Sequence, residues 1–155
     1  MINELHIKTK KHDVMIDITV QVQNFVTTQN ILDGLAVIYC PHTTAGITIN
    51  ENADPDVQKD FLRRLDEIYP WDTPKDRHIE GNSAAHLKAS TVGSSQTVII
   101  NNGKLLLGRW QGIYFCEFDG PRERSCYVSF YTMTWEGPDN TGGSSWQLTK
   151  VSKNM

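Results

Sequence analysis

Asn102-Gly103 is flanked by two apolar runs, Thr97 to Ile100 and Leu105 to Leu107. Asparagine followed by glycine tolerates two successive positive φ angles, which a two-residue type I′ turn demands. The pair therefore predicts an antiparallel hairpin. Further strand signals follow it: Ile113 to Phe118, a turn at Asp119-Gly120-Pro121-Arg122-Glu123-Arg124, then an alternating run from Cys126 to Trp135. A chain whose second half is short strands joined by tight turns has to build antiparallel sheet.

The first half mixes strands with helices. Alternation over residues 2–9, and again at Val14, Ile16 and Ile18, predicts two strands that pair as a hairpin across Lys10 to Asp13. Ile18, Val22, Phe25 and Val26 then fall at helical spacing, with Thr19 as candidate cap. Leu35 to Tyr39 is a buried strand stopped by Pro41, and Ile47 to about Asn52 is another. Asp54-Pro55 opens the plainest helix, with Asp at the cap and Pro at the first turn. Its apolar face is Val57, Phe61, Leu62, Leu65, Ile68 and Tyr69, and Pro70 ends it. A third helix is predicted from Asn82 or Ser83 to about Val92, with Gly93 just past its end.

A length of 155 residues fits one domain. The net charge of −3 does not point to a nucleic acid. No apolar run is long enough for a membrane helix, and the N-terminus lacks an apolar signal core. Three irregularly spaced cysteines do not make a disulfide framework. These features predict a cytoplasmic protein with reduced thiols. Beyond Glu136 the composition becomes linker-like, with Trp146-Gln147-Leu148 as a segment able to dock.

Candidate chemistry gathers in Arg77 to Lys88, which holds His78, Glu80, Asn82, His86 and Lys88. His42 lies upstream, at a strand end. Three imidazoles from two segments can hold zinc, magnesium or a similar divalent ion and leave positions open for a ligand. Ordinary polar surface positions are the alternative reading. Glu51 and Glu80 are candidate catalytic carboxylates, as general base or as outer-shell partner of a histidine. Asn82 can bind a ligand or cap the helix, and the helix N-terminus beside it suits a phosphate oxygen. Lys88 and Arg109 are candidate phosphate contacts, and Gln111 is a further candidate on the substrate.

Three stretches bear a resemblance to a known family. They are Pro41-His42-Thr43-Thr44-Ala45 with Asn50-Glu51-Asn52; His78 through Lys88; and Ser95 through Ile113, with Ser95, Gly103, Gly108, Trp110 and Gln111 in register. The chain resembles the YjbQ-like proteins, also labelled secondary thiamine-phosphate synthases, over residues 1–136, with 137–155 as a C-terminal extension. Arg109 stands where a threonine is expected, and the tail is longer than the family core. The resemblance implies a single α+β domain with mixed or antiparallel sheets folded into a sandwich and flanking helices. It also implies a homotrimer, a site near the subunit interface, and His42, His78 and His86 as metal ligands. The activity it implies joins a hydroxymethylpyrimidine diphosphate to a thiazole phosphate and releases pyrophosphate. A metal-dependent hydrolase and a non-enzymatic trimer that binds metal or a small anion are the competing expectations.

Overall fold

A computed structural model describes residues 2–136 and 144–151. Its strands are β1 (Ile2–Lys8), β2 (Val14–Asp17), β3 (Gly34–Tyr39), β4 (Ala45–Glu51), β5 (Ser95–Asn101), β6 (Lys104–Leu105), β7 (Gln111–Glu117), β8 (Glu123–Glu136) and β9 (Ser145–Lys150). Three helices join them: α1 (Thr19–Thr28), α2 (Pro55–Ile68) and α3 (Ser83–Val92). One sheet runs β1-β8-β3-β5-β6, with β9 also paired to β8, and a second runs β2-β7-β4. All pairings are antiparallel. The chain is an α+β sandwich with helices outside, as expected.

β7 explains why part of the sequence reads as unbroken apolar residues. Ile113 and Phe115 face the larger sheet and share its core with Ala36, Ile38, Val98, Val128 and Phe130. Tyr114 and Cys116 face the other way, with Phe118, Met15, Leu65, Ala85 and Ala89 beneath α2 and α3. Both faces are buried, so period-two alternation disappears. Residues on α1 close the inter-sheet core through fully buried Val22 and Val26.

The Asn102-Gly103 turn and the Asp54 cap act where the sequence placed them. Asn102 and Gly103 have φ of 49° and 74°, the two positive angles of the predicted turn. Asp54 caps α2 by accepting from Asp56 N at 2.9 Å, with Pro55 following. Ile18, not Thr19, is the N-cap of α1. Asp17 Oδ1 accepts from the Thr19 backbone N at 2.8 Å, and Thr19 Oγ1 donates to the same oxygen. The predicted hairpin of the first two strands does not form. β1 pairs with β8 in one sheet and β2 with β7 in the other, so residues 9–13 cross between layers. Trp146-Gln147-Leu148 falls within β9, opposite residues 133–135 of β8. Residues 137–143 of the linker-like segment lie outside the described residues.

The placement of α3 matters most for function. Its inner face is Ala84, Ala85 and Ala89, small enough to bring its backbone close to β4. Gly46 completes the approach. A Cβ there would stand 2.6 Å from Gly93 O, the oxygen that accepts from Ile47 N at 2.9 Å. Cys40 N donates to Ser94 O at 2.8 Å, so both edges of the segment after α3 are pinned. These contacts hold the helix over the end of β4 that starts at Ala45.

Candidate metal and ligand site

His78, Glu80 and His86 each offer a ligand atom, and these atoms lie within 4.8 Å of one another. His78 Nε2 is 3.8 Å from Glu80 Oε2, and the two imidazoles meet edge to face with centroids 5.2 Å apart. Ligand atoms at 2.0–2.1 Å from a tetrahedral zinc ion lie about 3.3 Å apart. Half an ångström of closure between His78 and Glu80 would therefore suffice for that pair. His78 and Glu80 sit on an exposed loop, and the turn there is closed by Gly81 N donating to His78 O at 3.0 Å. Gly81 has φ of +71°, and nothing lies within 4 Å of where its Cβ would be. His86 is fixed one turn inside α3, and its Nε2 is buried without a hydrogen-bond partner. An imidazole nitrogen in that condition is suited to a metal or a ligand, because a buried polar atom left unpaired is unfavourable. Two imidazoles and a carboxylate suit zinc and its neighbours among the transition metals better than they suit calcium.

His42 is placed differently from the expectation. It stands outside the three-residue cluster, and its Nε2 already accepts from Ser125 N at 3.0 Å. Burial, helped by the nearby Arg124 guanidinium, holds His42 below the ordinary histidine range. The ring is thus neutral at pH 7, with its acceptor nitrogen committed to backbone. His42 and His86 instead both line a groove of about 590 Å³, whose lining also includes Tyr39, Thr43, Ser90 and Ser94. His86 is shared with a second hollow of about 410 Å³, lined by Asp76, His78, Ser83 and Leu87. Behind His42, Arg124 makes a bidentate pair with fully buried Glu117, at 2.7 Å through Nε and 2.6 Å through Nη2. Arg124 Nη2 also donates to Thr44 Oγ1 at 2.7 Å.

Lys88 is a correction to the sequence reading. Its side chain is only 1% exposed, and its ammonium donates to Asp13 Oδ2 at 2.7 Å and to Asp66 Oδ1. Burial works against the charge, but the two carboxylates outweigh it and raise the lysine above its ordinary range. This ammonium ties α3 to α2 and to the segment before β2, and is not free for phosphate. Asn82 sits at the N-cap of α3 but makes no side-chain capping bond. Its Nδ2 donates to Asp119 Oδ2 at 3.0 Å.

The remaining candidates lie at the opposite end of the second sheet. Glu51 is six residues along β4 from Ala45, about 20 Å at the usual strand rise, and it pairs with Gln111. Gln111 Oε1 accepts from Gly108 N at 2.8 Å, which shapes the turn before β7. The Arg109 guanidinium lies over the Trp110 ring, 4.7 Å from its centroid. Within one chain, Glu51, Arg109 and Gln111 form a group apart from the histidines. Asp76, Asp119 and Arg122 belong to the surroundings of the histidine site and were missed in the sequence. Asp76 lies just before His78 and lines the same hollow, whereas Asp119 and Arg122 come from a turn far along the chain and reach the start of α3 through Asn82, a relation no local pattern marks.

Residues 3–133 match the family model described as UPF0047 protein YjbQ-like. The chain belongs to the YjbQ-like UPF0047 family. It is 67% identical over 128 residues to UPF0047 protein YugU of Bacillus subtilis, across 83% of this chain and 97% of that one. UPF0047 protein MJ1081 of Methanocaldococcus jannaschii is 53% identical over 130 residues, across 83% and 92%. Among solved structures, an uncharacterised YjbQ/UPF0047 protein from Clostridium acetobutylicum superposes with a TM-score of 0.81 at 57% identity, covering 83% of this chain and 98% of that one. A conserved hypothetical protein from Thermus thermophilus does so with a TM-score of 0.77 at 41% identity, covering 83% and 98%. The family match ends at residue 133, within β8, so β9 lies beyond it. No helix among the described residues is long and apolar enough to cross a membrane.

Proposed function

We propose that this UPF0047 protein is a divalent-metal-dependent enzyme acting on a small phosphorylated molecule, with the ion held by His78, Glu80 and His86. The observation that carries this reading is the cluster of two imidazoles and a carboxylate whose ligand atoms lie within 4.8 Å of one another, with His86 Nε2 buried and unpartnered. A bound divalent ion would supply Lewis acidity toward a phosphoryl oxygen. The chain's own part is to fix the donors. Residues at the start of α3 add backbone N–H groups that the helix does not use, since its first internal bond runs from Ala85 N to Asn82 O. Together they suit a transferase that expels pyrophosphate, the thiamine-phosphate synthase type of reaction, whether as main role or side activity. Hydrolysis is the second reading, favoured by the donor set of two histidines and one glutamate. In either, Glu80 serves better as ligand than as base, and Lys88 takes no part.

Calorimetric titration with pyrophosphate, on zinc-loaded and on metal-stripped protein, tests the proposal. Binding should be at least tenfold tighter with metal, and equal affinity in the two would refute a metal-assisted phosphate site.

We also propose that the protein is a homotrimer. The outer face of the larger sheet carries Leu35, Val37, Tyr39, Ile99, Tyr127 and Tyr131 with no layer over them among the described residues, and Tyr39 and Ile99 are 46% and 52% exposed. An apolar sheet face of this kind is suited to association. Tyr39 also lines the groove between His42 and His86, so assembly through this face brings the groove to a subunit boundary. Light scattering should report three subunits, and Tyr39→Glu should shift the mass toward one. A monomer in the unmodified protein would refute this. Three buried free thiols suit a cytoplasmic setting. Burial pushes Cys40 up to about 11 and Cys126 to about 12, so they act as small core residues, not nucleophiles.

A further inference from the structure

A backbone N–H only donates, so a ring nitrogen that meets it must carry a lone pair. Ser125 N lies 3.0 Å from His42 Nε2, which fixes the tautomer: in the neutral ring the proton sits on Nδ1. Protonating Nε2 as well would set N–H against N–H, so the same contact keeps the ring uncharged. The lock neither titrates nor turns away, because Ser125 is held in β8, in register with His6 of β1. His42 is half-buried, and its Nδ1 makes no hydrogen bond among the described residues. The side-chain atoms buried there without a partner are Gln29 Oε1, Asn82 Oδ1 and His86 Nε2, so His42 Nδ1 is open to solvent. The open spaces that His42 borders are the groove of about 590 Å³ and a hollow of about 400 Å³ lined by the ends of β1 and β8. No Asp, Glu, Lys or Arg among the described residues lines the groove, whose other polar side chains include the hydroxyls of Tyr39, Thr43, Ser90 and Ser94. In the hollow, Lys8 Nζ is 3.7 Å from Glu123 Oε1, and Arg124 is committed to Glu117.

We propose that His42 is a specificity-determining residue whose Nδ1–H donates to an acceptor atom in the uncharged part of the ligand: a carbonyl, ether or hydroxyl oxygen, or an unprotonated ring nitrogen. The ligand class is a phosphate ester with a neutral body that bears such acceptors. Its phosphate belongs at the metal, because the groove has no cation to hold it. Its body lies in the groove, which is contiguous with the metal side because His86 borders both the groove and the hollow of His78. A protonated amine is rejected at His42, since an N–H cannot accept. This inference deepens the reading above and rests on it for the place of the phosphate.

Nitrogen NMR of the full-length protein reads the tautomer directly. The proton should be on Nδ1, and a proton on Nε2 would overturn this proposal alone. Calorimetry on zinc-loaded protein then compares two phosphate esters. Uridine monophosphate carries carbonyl, ether and hydroxyl acceptors at several distances from its phosphate, and phenyl phosphate carries no acceptor in its ring. Two substitutions separate the ring nitrogens. His42→Gln puts an amide oxygen near the place of Nε2, keeping the bond to Ser125 N and losing the Nδ1–H. His42→Asn puts an amide N–H near the place of Nδ1. The preference for uridine monophosphate should fall about tenfold in His42→Gln, the effect of one donor removed, and stay within about threefold in His42→Asn. Phenyl phosphate should bind all three proteins alike. An unchanged preference in His42→Gln would overturn the proposal. Loss in His42→Asn with retention in His42→Gln would also overturn it, because His42 would then act only through its bond to Ser125. If neither ester binds the unmodified protein with or without zinc, the phosphate reading falls, and this proposal with it.

Discussion

Replacing Arg124 with methionine is expected to destabilise the protein by about 3–5 kcal/mol, the usual cost of removing one partner of a buried ion pair. Glu117 is fully buried, and Arg124 supplies both of its charged donors. Without the guanidinium, the carboxylate keeps only neutral donors: Phe118 N at 3.1 Å, Asp119 N at 3.0 Å and Thr9 Oγ1 at 3.2 Å. These do not offset the desolvation of a full negative charge. Urea unfolding at neutral pH would measure the effect, and a loss below about 1 kcal/mol would mean that water or local relaxation reaches Glu117. The same substitution also touches the groove. Burial is the main reason His42 is held below the ordinary histidine range, but the Arg124 charge adds to it. In Arg124→Met the His42 pKa should therefore rise, a change that NMR titration of the imidazole would follow.

The second large effect concerns the metal. His86→Ala removes the ligand that α3 holds rigidly, and should weaken zinc binding by at least a hundredfold. Far-UV circular dichroism should be retained, because Ala85 and Ala89 carry the packing of α3 in the buried cluster beneath it. His42→Ala should leave zinc affinity within about threefold, since its Nε2 is engaged with Ser125 N. This contrast separates the cluster of His78, Glu80 and His86 from a site closed by all three histidines. Competition against a chromogenic chelator would measure both variants. Equal losses in the two would restore His42 as a ligand.

The parts of this fold that were legible in the sequence are those fixed by local chemistry. Asn102-Gly103, Asp54-Pro55 and Gly93 act through the conformation of their own backbone or a bond two or three residues away. Strand pairing was not legible in the same way. Alternation in Val14 to Ile18 shows which face is buried, but not that β7 is the partner and β1 is not. The site divides along the same line. His78, Glu80 and His86 lie within nine residues, so a loop and the first helical turn bring them together. Lys88 belongs to that stretch too, but its fate depends on Asp13 and Asp66, which are 75 and 22 residues away. A lysine beside two histidines reads as a phosphate ligand until those carboxylates are placed. Asp119 and Arg122 gain their role only through Asn82, a relation that no spacing in the chain expresses.

On the proposed reading, one divalent ion sits between the 78–80 loop and α3. A zinc-edge anomalous difference map from crystals of the zinc-loaded protein tests it most directly. One peak per chain is expected, about 2.0–2.2 Å from a nitrogen of His78, a nitrogen of His86 and an oxygen of Glu80. No peak there, or a single peak at some other group of residues, would contradict it.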